Sequence, residues 1–254
     1  MRKVALITAA GFHGVSTQFP GLGNLPEALL PLKDGSTPLS RLSHQFADQG
    51  FEVFAAVGRV GCLFPMRMAY HAKHWKYSLP PGAIEISPWT QERIDEVSEY
   101  AIPIIMPEPD EVLAWDSIRK SLDAIGYDWE QMIVMYADHL ISNRLLKGIM
   151  GLPFPCQFGA SHKRPFLVHC WNPEVARLCY KLIEPWCGFG ASWIGGLWKR
   201  GKGVPAAHKY VAACPMKTTA EAFPEFDDME LSNDIDNPKR YRATEQWLDQ
   251  FGDL

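Results

Sequence analysis

The sequence predicts an α/β fold, one domain over residues 1–254 with a mainly parallel sheet, and three observations predict it. Short apolar, β-branched runs alternate along the chain with longer stretches of helical spacing. The first run is followed by a glycine-rich loop, a well-marked helix and a second apolar run, which is a βαβ unit. No internal repeat, low-complexity segment or linker interrupts the 254 residues.

The elements follow in order. Val4 to Thr8 is apolar and β-branched and reads as a buried parallel strand. The loop after it, "TAAGFHGVSTQFPGLGNLPEALLPL", carries Glu27 as its only charged residue. "GSTPLSRLSHQFADQG" reads as a helix: Thr37 caps it, Pro38 fits its first position, Leu39, Leu42 and Phe46 share a face, and Gly50 stops it. "FEVFAAVG" is the second strand. Within residues 59–100, "MRMAYHAKHWKY" has helical character and "GAIEIS" reads as a strand. "AIPIIMPEP" gives a short strand into a proline turn, and "DEVLAWDSIRKSLDAIG" a helix. "EQMIVMYADHLIS" gives a strand over Met132 to Tyr136 that ends at Asp138. "RPFLVHCW" is a strand, "NPEVARLCYKLIEPW" a helix capped by Asn172, and Pro238 opens a last helix carrying Tyr241, Trp247, Leu248 and Phe251.

Composition narrows the function classes. The net charge is -4, with 47% hydrophobic and 21% charged residues, which argues against bulk nucleic-acid binding. No apolar run approaches the roughly 20 residues of a membrane span. The opening "MRKVALITAAG" is too short in its apolar run for a signal peptide and reads as the first strand. Cys62, Cys156, Cys170, Cys179, Cys187 and Cys214 form no CxxC pair, as expected of reduced thiols in a cytoplasmic protein. A zinc site from Cys156, His162, His169 and Cys170 matches no common spacing. His71 and His74 sit three apart with no third ligand nearby, which suits a solvated helix face.

The chemistry-bearing residues gather at one edge. In parallel α/β sheets, ligands sit outside the carboxyl ends of the strands. That rule places the Gly11 loop, where backbone N–H groups can approach an anion or a base closely, beside Asp138. A carboxylate directly after a buried strand commonly holds a hard cation such as Mg²⁺; the alternative is an Asp capping a turn in "DHLIS". In "LSNDIDNPKRY", Asp234 and Asp236 alternate with Ile235, so both could project from one face of an extended segment.

The order "TAAGFHG", "PEALLPLKDGSTPLSRL", "YADHLIS" and "NDIDNPKRY" resembles the MobA-like and sugar-phosphate nucleotidyltransferases, whose pattern is "AAGxGxR", "PKxLLPLxGxPLL", a strand ending in "GD", and a late "DIDTPEDY". The resemblance spans Val4 to Leu248. It implies a three-layer, Rossmann-like domain of the GT-A type with a mainly parallel mixed sheet. It also implies a Mg²⁺-dependent nucleotidyltransferase that couples a nucleoside triphosphate to a small phosphorylated acceptor and releases pyrophosphate. By position, Ala9, Ala10 and Gly11 would meet the base and ribose, with Gly14 in the same loop. Asp138 and Asp236 would hold Mg²⁺, and Ser117 would approach the nucleotide. A homo-oligomer is compatible with this reading.

Two departures follow. Val15, Ser16 and Thr17 stand where the family has an Arg, and Glu27 replaces its signature Lys. A carboxylate there opposes a triphosphate by about 1 kcal/mol or more near a surface, so other cations would have to serve: Lys33, Arg41, Lys163, Arg164, Lys199 or Lys202. The loss of these charges leaves two other readings, a GT-A glycosyltransferase acting on a nucleotide sugar and a non-catalytic nucleotide-binding relative. Against the first, Asp138 is followed by His139 and Leu140 where a transferase carries a compact DxD. Trp193 and Trp198 could wall the acceptor site or belong to the core.

Overall fold

The computed structural model describes residues 2–10, 22–61, 63–64, 85–106, 114–150, 156–159, 165–170, 216–218, 232–235 and 238–251. The first strand, β1 (Lys3–Thr8), lies between two parallel neighbours, β2 (Glu52–Val57) and β6 (Gln131–Tyr136). Beyond β2, the edge strand β5 (Ile102–Ile105) continues the parallel set. On the other side β9 (Pro165–Cys170) pairs antiparallel with β6 and with β8 (Cys156–Gly159), and β10 (Met216–Thr218) closes that flank. The sheet order is β10-β8-β9-β6-β1-β2-β5. The expected strands in "GAIEIS" and "RPFLVHCW" both form. The former, β4 (Glu85–Ile86), pairs with β3 (Leu63–Phe64) as a separate two-stranded ribbon.

Helices cover both faces, because alternate side chains of the central strands point to opposite sides and both sets are apolar. On one face Ala5, Ile7, Val53, Ala55, Val57, Ile133 and Met135 join a single core. Three helices complete it: α1 (Pro38–Asp48), α2 (Gln91–Val97) and α4 (Asn143–Met150). Val4, Leu6, Ala56, Met132 and Val134 alternate with them and are equally buried. Helix α3 (Ala114–Ile125) lies against β1 and β2 and buries Leu122 and Ile125. The three-layer α/β architecture is the one the resemblance implies.

Local chemistry accounts for the boundaries. In α1 the Thr37 hydroxyl accepts from the Ser40 N–H at 3.1 Å, and the Ser40 hydroxyl accepts from the Thr37 N–H at 2.9 Å. This reciprocal cap contributes about 1 kcal/mol. Gly50, with φ of 80°, ends the helix in the left-handed region. Helix α2, which the sequence pattern of residues 59–100 does not announce, is capped by Thr90 accepting from the Arg93 N–H at 3.3 Å.

Where β2 leaves the sheet, Gly58 faces the ring of Trp89. A Cβ at Gly58 would lie 2.3 Å from Cδ1 of that ring, and Trp89 is only 1% exposed. The ring has nowhere to retreat. Gly58→Ala is therefore expected to lower stability by roughly 1–3 kcal/mol, read as an earlier urea midpoint with an unchanged slope.

Candidate active site

The chain leaves β1 toward β2 and β5 on one side and returns through α3 to β6 on the other. The direction of strand order therefore reverses between β1 and β6. In parallel α/β sheets this switch point is where a crevice opens beyond the carboxyl ends. The residues lying there are Ala9 and Ala10 after β1, and Ala137 and Asp138 after β6. Backbone bonds knit them together: the Ala9 N–H donates to the Ala56 carbonyl at 2.8 Å, and the Ala137 N–H donates to the Thr8 carbonyl at 3.1 Å. Ala9 and Ala10 are both buried.

Asp138 occupies the turn between β6 and β7 (His139–Ile141). Its neighbours in "DHLIS" form a strand, so Asp138 stands at a strand-to-strand corner. The side chain is 31% exposed, and its Oδ1 lies 2.9 Å from Nδ1 of His139, whose side chain is 10% exposed. On β6, burial first and the Asp138 charge second raise the pKa of Tyr136, so its phenol stays neutral at ordinary pH.

The late acidic segment comes to the same corner. Strand β11 (Ser232–Asp234) pairs antiparallel with β7, with Asp234 opposite His139. Past that pairing the Ile235 N–H donates to the Asp138 carbonyl at 2.9 Å. Residues almost a hundred positions apart are thus adjacent through backbone bonds. Asp236, one residue further, lies outside the described residues, as do Gly11 and Gly14.

The exit of the glycine loop is packed onto this corner. Glu27 starts a single 3-10 turn, Glu27–Leu29, and is only 8% exposed. Leu30 packs with Ile235, and Leu32 with Leu140 and Trp247 of the last helix, α5 (Pro238–Phe251). The Tyr241 hydroxyl of α5 donates to the Pro31 carbonyl. From the other side Gln45 of α1 donates to the Ile141 carbonyl at 3.0 Å and to Asn143 Oδ1 at 3.2 Å, which holds the far end of β7.

The remaining predicted residues are dispersed. Lys33 is exposed and pairs with Asp249 of α5 at 3.3 Å. Arg41 pairs with Asp34 at 3.0 Å. Ser117 stands in the first turn of α3. Cys156 and His169 are register partners across β8 and β9. His71, His74, His162, Lys163, Arg164, Trp193, Trp198, Lys199, Lys202 and the stretch 173–187 lie outside the described residues. Sequence reasoning did not single out His139. Its signal was its position, a histidine directly after the site acid.

Mg²⁺ suits Asp138 on chemical grounds. The group is a hard, partly exposed oxygen donor, and a second acid follows directly from a residue bonded to its backbone. Among the described residues no three His, Cys, Asp or Glu side chains cluster as a metal cage. Mg²⁺ does not need one, because it keeps several waters and takes one or two carboxylates together with phosphate oxygens.

No protein-family model matches the sequence, and no curated protein does. Solved structures do. The inositol-1-phosphate CTP transferase from T. maritima superposes with a TM-score of 0.56 at 12% identity, over 98% of this chain and 96% of that one. The 4-diphosphocytidyl-2C-methyl-D-erythritol synthase from Anaerococcus prevotii gives 0.54 at 9% identity, over 98% and 96%. Against a UDP-glucose pyrophosphorylase complexed with UDP-glucose, the chain spans 57% of that protein's length at a TM-score of 0.37, which adds nothing to the assignment. Among the described residues no helix is long and apolar enough to cross a membrane. The chain has the three-layer, Rossmann-like α/β fold of the GT-A type, shared with the CTP transferase.

Proposed function

We propose that this chain is a Mg²⁺-dependent nucleotidyltransferase, acting as one domain over residues 1–254. It couples a nucleoside triphosphate to a sugar phosphate or a similar small phosphorylated acceptor. The observation that carries the reading is the meeting of Asp138 with the 232–235 segment at the switch point between β1 and β6. The reaction class has support from the inositol-1-phosphate CTP transferase, a nucleotidyltransferase by name that has the same fold.

In the proposed reaction a phosphate oxygen of the acceptor attacks the α-phosphorus in line. The bond from that phosphorus to the bridging oxygen breaks, and pyrophosphate leaves with the electron pair. Positioning and electrostatics suffice for this chemistry. Backbone groups at Ala9, Ala10, Gly11 and Gly14 cradle base and ribose, and Ser117 approaches the nucleotide from α3. Asp138 and Asp236 would hold Mg²⁺, which when bound would supply positive charge to offset that of the phosphates. Lys33 is available as a cation, since an exposed pair with Asp249 contributes at most about 1 kcal/mol and opens easily. The proposed compartment is the cytoplasm, and a homo-oligomer is compatible with the fold.

The test is to mix protein, Mg²⁺, each common NTP and a panel of sugar phosphates, and to follow pyrophosphate. Its appearance, dependent on one NTP and one acceptor, is the expected result. Transfer from a nucleotide sugar without pyrophosphate would instead make the chain a glycosyltransferase. Saturable binding with no turnover would make it a non-catalytic relative.

Glu27 gives a sharper prediction. Glu27 is 8% exposed and stands in the turn after the loop, where the resemblance places the family's Lys and where a negative charge would oppose a triphosphate. Glu27→Lys is expected to raise Mg²⁺–NTP affinity by roughly 5–10-fold, a change of order 1 kcal/mol, and Glu27→Gln to raise it by less. Calorimetric titration alongside the melting temperature of each unliganded variant reads this. A fall in affinity with an unchanged melting temperature would assign Glu27 a direct task, such as holding a ribose hydroxyl.

A further inference from the structure

We infer that His139 is the positioning residue of Asp138, a fixed donor that orients the carboxylate at the switch point. The inference rests on the metal role of Asp138 proposed above. Three observations carry it. Nδ1 of His139 lies 2.9 Å from Asp138 Oδ1, the separation of a charge-assisted hydrogen bond. His139 is 8% exposed, and all three residues of its strand are buried. Its backbone is fixed from both sides, by the β7–β11 ladder and by the Gln45 bond to Ile141.

These facts separate two jobs between neighbouring residues. Asp138 sits in a two-residue corner and is 31% exposed, open enough for its carboxylate to meet a ligand. The buried imidazole cannot move without breaking the packing of β7. With Asp138 ionised, the imidazole must carry its proton on Nδ1 to make this bond, which sets one tautomer. One carboxylate oxygen is thereby held in place before any ligand arrives. Partners that orient a ligating group in this way commonly change metal affinity by 10–100-fold when removed.

The test separates donor from bulk. His139→Phe keeps a ring in the buried space and removes the donor. His139→Asn removes the bulk and places an amide N–H the same number of bonds from the backbone as Nδ1. Each variant and the wild type are titrated calorimetrically with Mg²⁺ and each of ATP, CTP, GTP and UTP. The unliganded melting temperatures are recorded in parallel. The expected result is a loss of about tenfold or more in affinity for His139→Phe. His139→Asn is expected to stay within about threefold of wild type even if its melting temperature drops further. Equal affinity of His139→Phe and wild type overturns the role of His139 alone. So does an equal loss in both variants, which would mark a packing effect. If wild-type protein binds none of the four, the metal role of Asp138 fails and this inference falls with it.

A second measurement needs no variant of His139 to fold. In ¹⁵N-histidine spectra of the unliganded wild-type protein, His139 is expected to carry its proton on Nδ1, and Asp138→Ala to shift that signal. A spectrum placing the proton on Nε2 alone overturns the inference.

Discussion

Asp138→Asn is expected to abolish Mg²⁺-dependent pyrophosphate release, by at least about 100-fold, in a protein that stays folded. The substitution is close to isosteric, and the amide oxygen can still accept from Nδ1 of His139 across the 2.9 Å contact. The corner also keeps its backbone bonds, including the Ile235 N–H to the residue-138 carbonyl. What is lost is one negative charge on a hard oxygen at the carboxyl end of β6. Stopped assays with Mg²⁺, NTP and acceptor measure the turnover, and thermal melting measures the fold. Full activity in a folded variant would remove Asp138 from the metal site.

Trp247→Ala carries the largest expected loss of stability. Trp247 is 5% exposed and joins Leu32 and Leu140 in one apolar cluster, with Leu248 and Phe251 packed around it. Its ring lies 6.2 Å from that of Phe251 at a tilted angle. Truncating a buried Trp costs roughly 3–5 kcal/mol, and for a chain of this size that corresponds to a melting temperature lower by about 6–20 °C. The location adds a functional consequence. Leu32 ends the loop that follows the glycine turn, and Leu140 lies two residues after Asp138. Helix α5 therefore packs against two sequence-distant segments of the candidate site. Trp247→Phe should recover more than half of the stability lost. Unchanged melting in Trp247→Ala would show that α5 does not hold this corner.

The elements legible in the sequence were those whose information is local. The apolar run of β1, the Thr37–Pro38 start of α1 and the helical spacing from Pro238 onward each fix structure within a few residues. The sheet edge was legible too, since Asp138 directly follows an apolar strand. The missed elements are short or have their cause elsewhere. Helix α2 has seven residues, and the Ser87–Pro88–Trp89 stretch before it reads as turn chemistry. Helix α4 begins after Ser142, whose hydroxyl accepts from the Leu145 N–H at 3.1 Å, a cap that "ISNRLL" does not advertise. The pairing of β7 with β11 joins two three-residue strands far apart in the chain, and no periodicity within either strand reports it. The sequence shows Glu27 as the only charged residue of an apolar loop and does not report its burial. Its burial comes from Ala28 and Leu29, which draw the 3-10 turn into the core. His139 was hidden for a similar reason, because its importance depends on a strand that forms only with its partner.

The central claim is that Asp138 and the segment ending at Asp236 converge on a divalent ion beside the glycine turn. The most direct measurement is the melting temperature of the wild-type protein with each NTP, with and without Mg²⁺. A ligand that binds only the folded state at 100 times its dissociation constant stabilises it by about 2.7 kcal/mol. The prediction is that one nucleotide raises the melting temperature by several degrees with Mg²⁺ and far less without it. A protein whose melting temperature no nucleotide raises, or raises equally in EDTA, would contradict it.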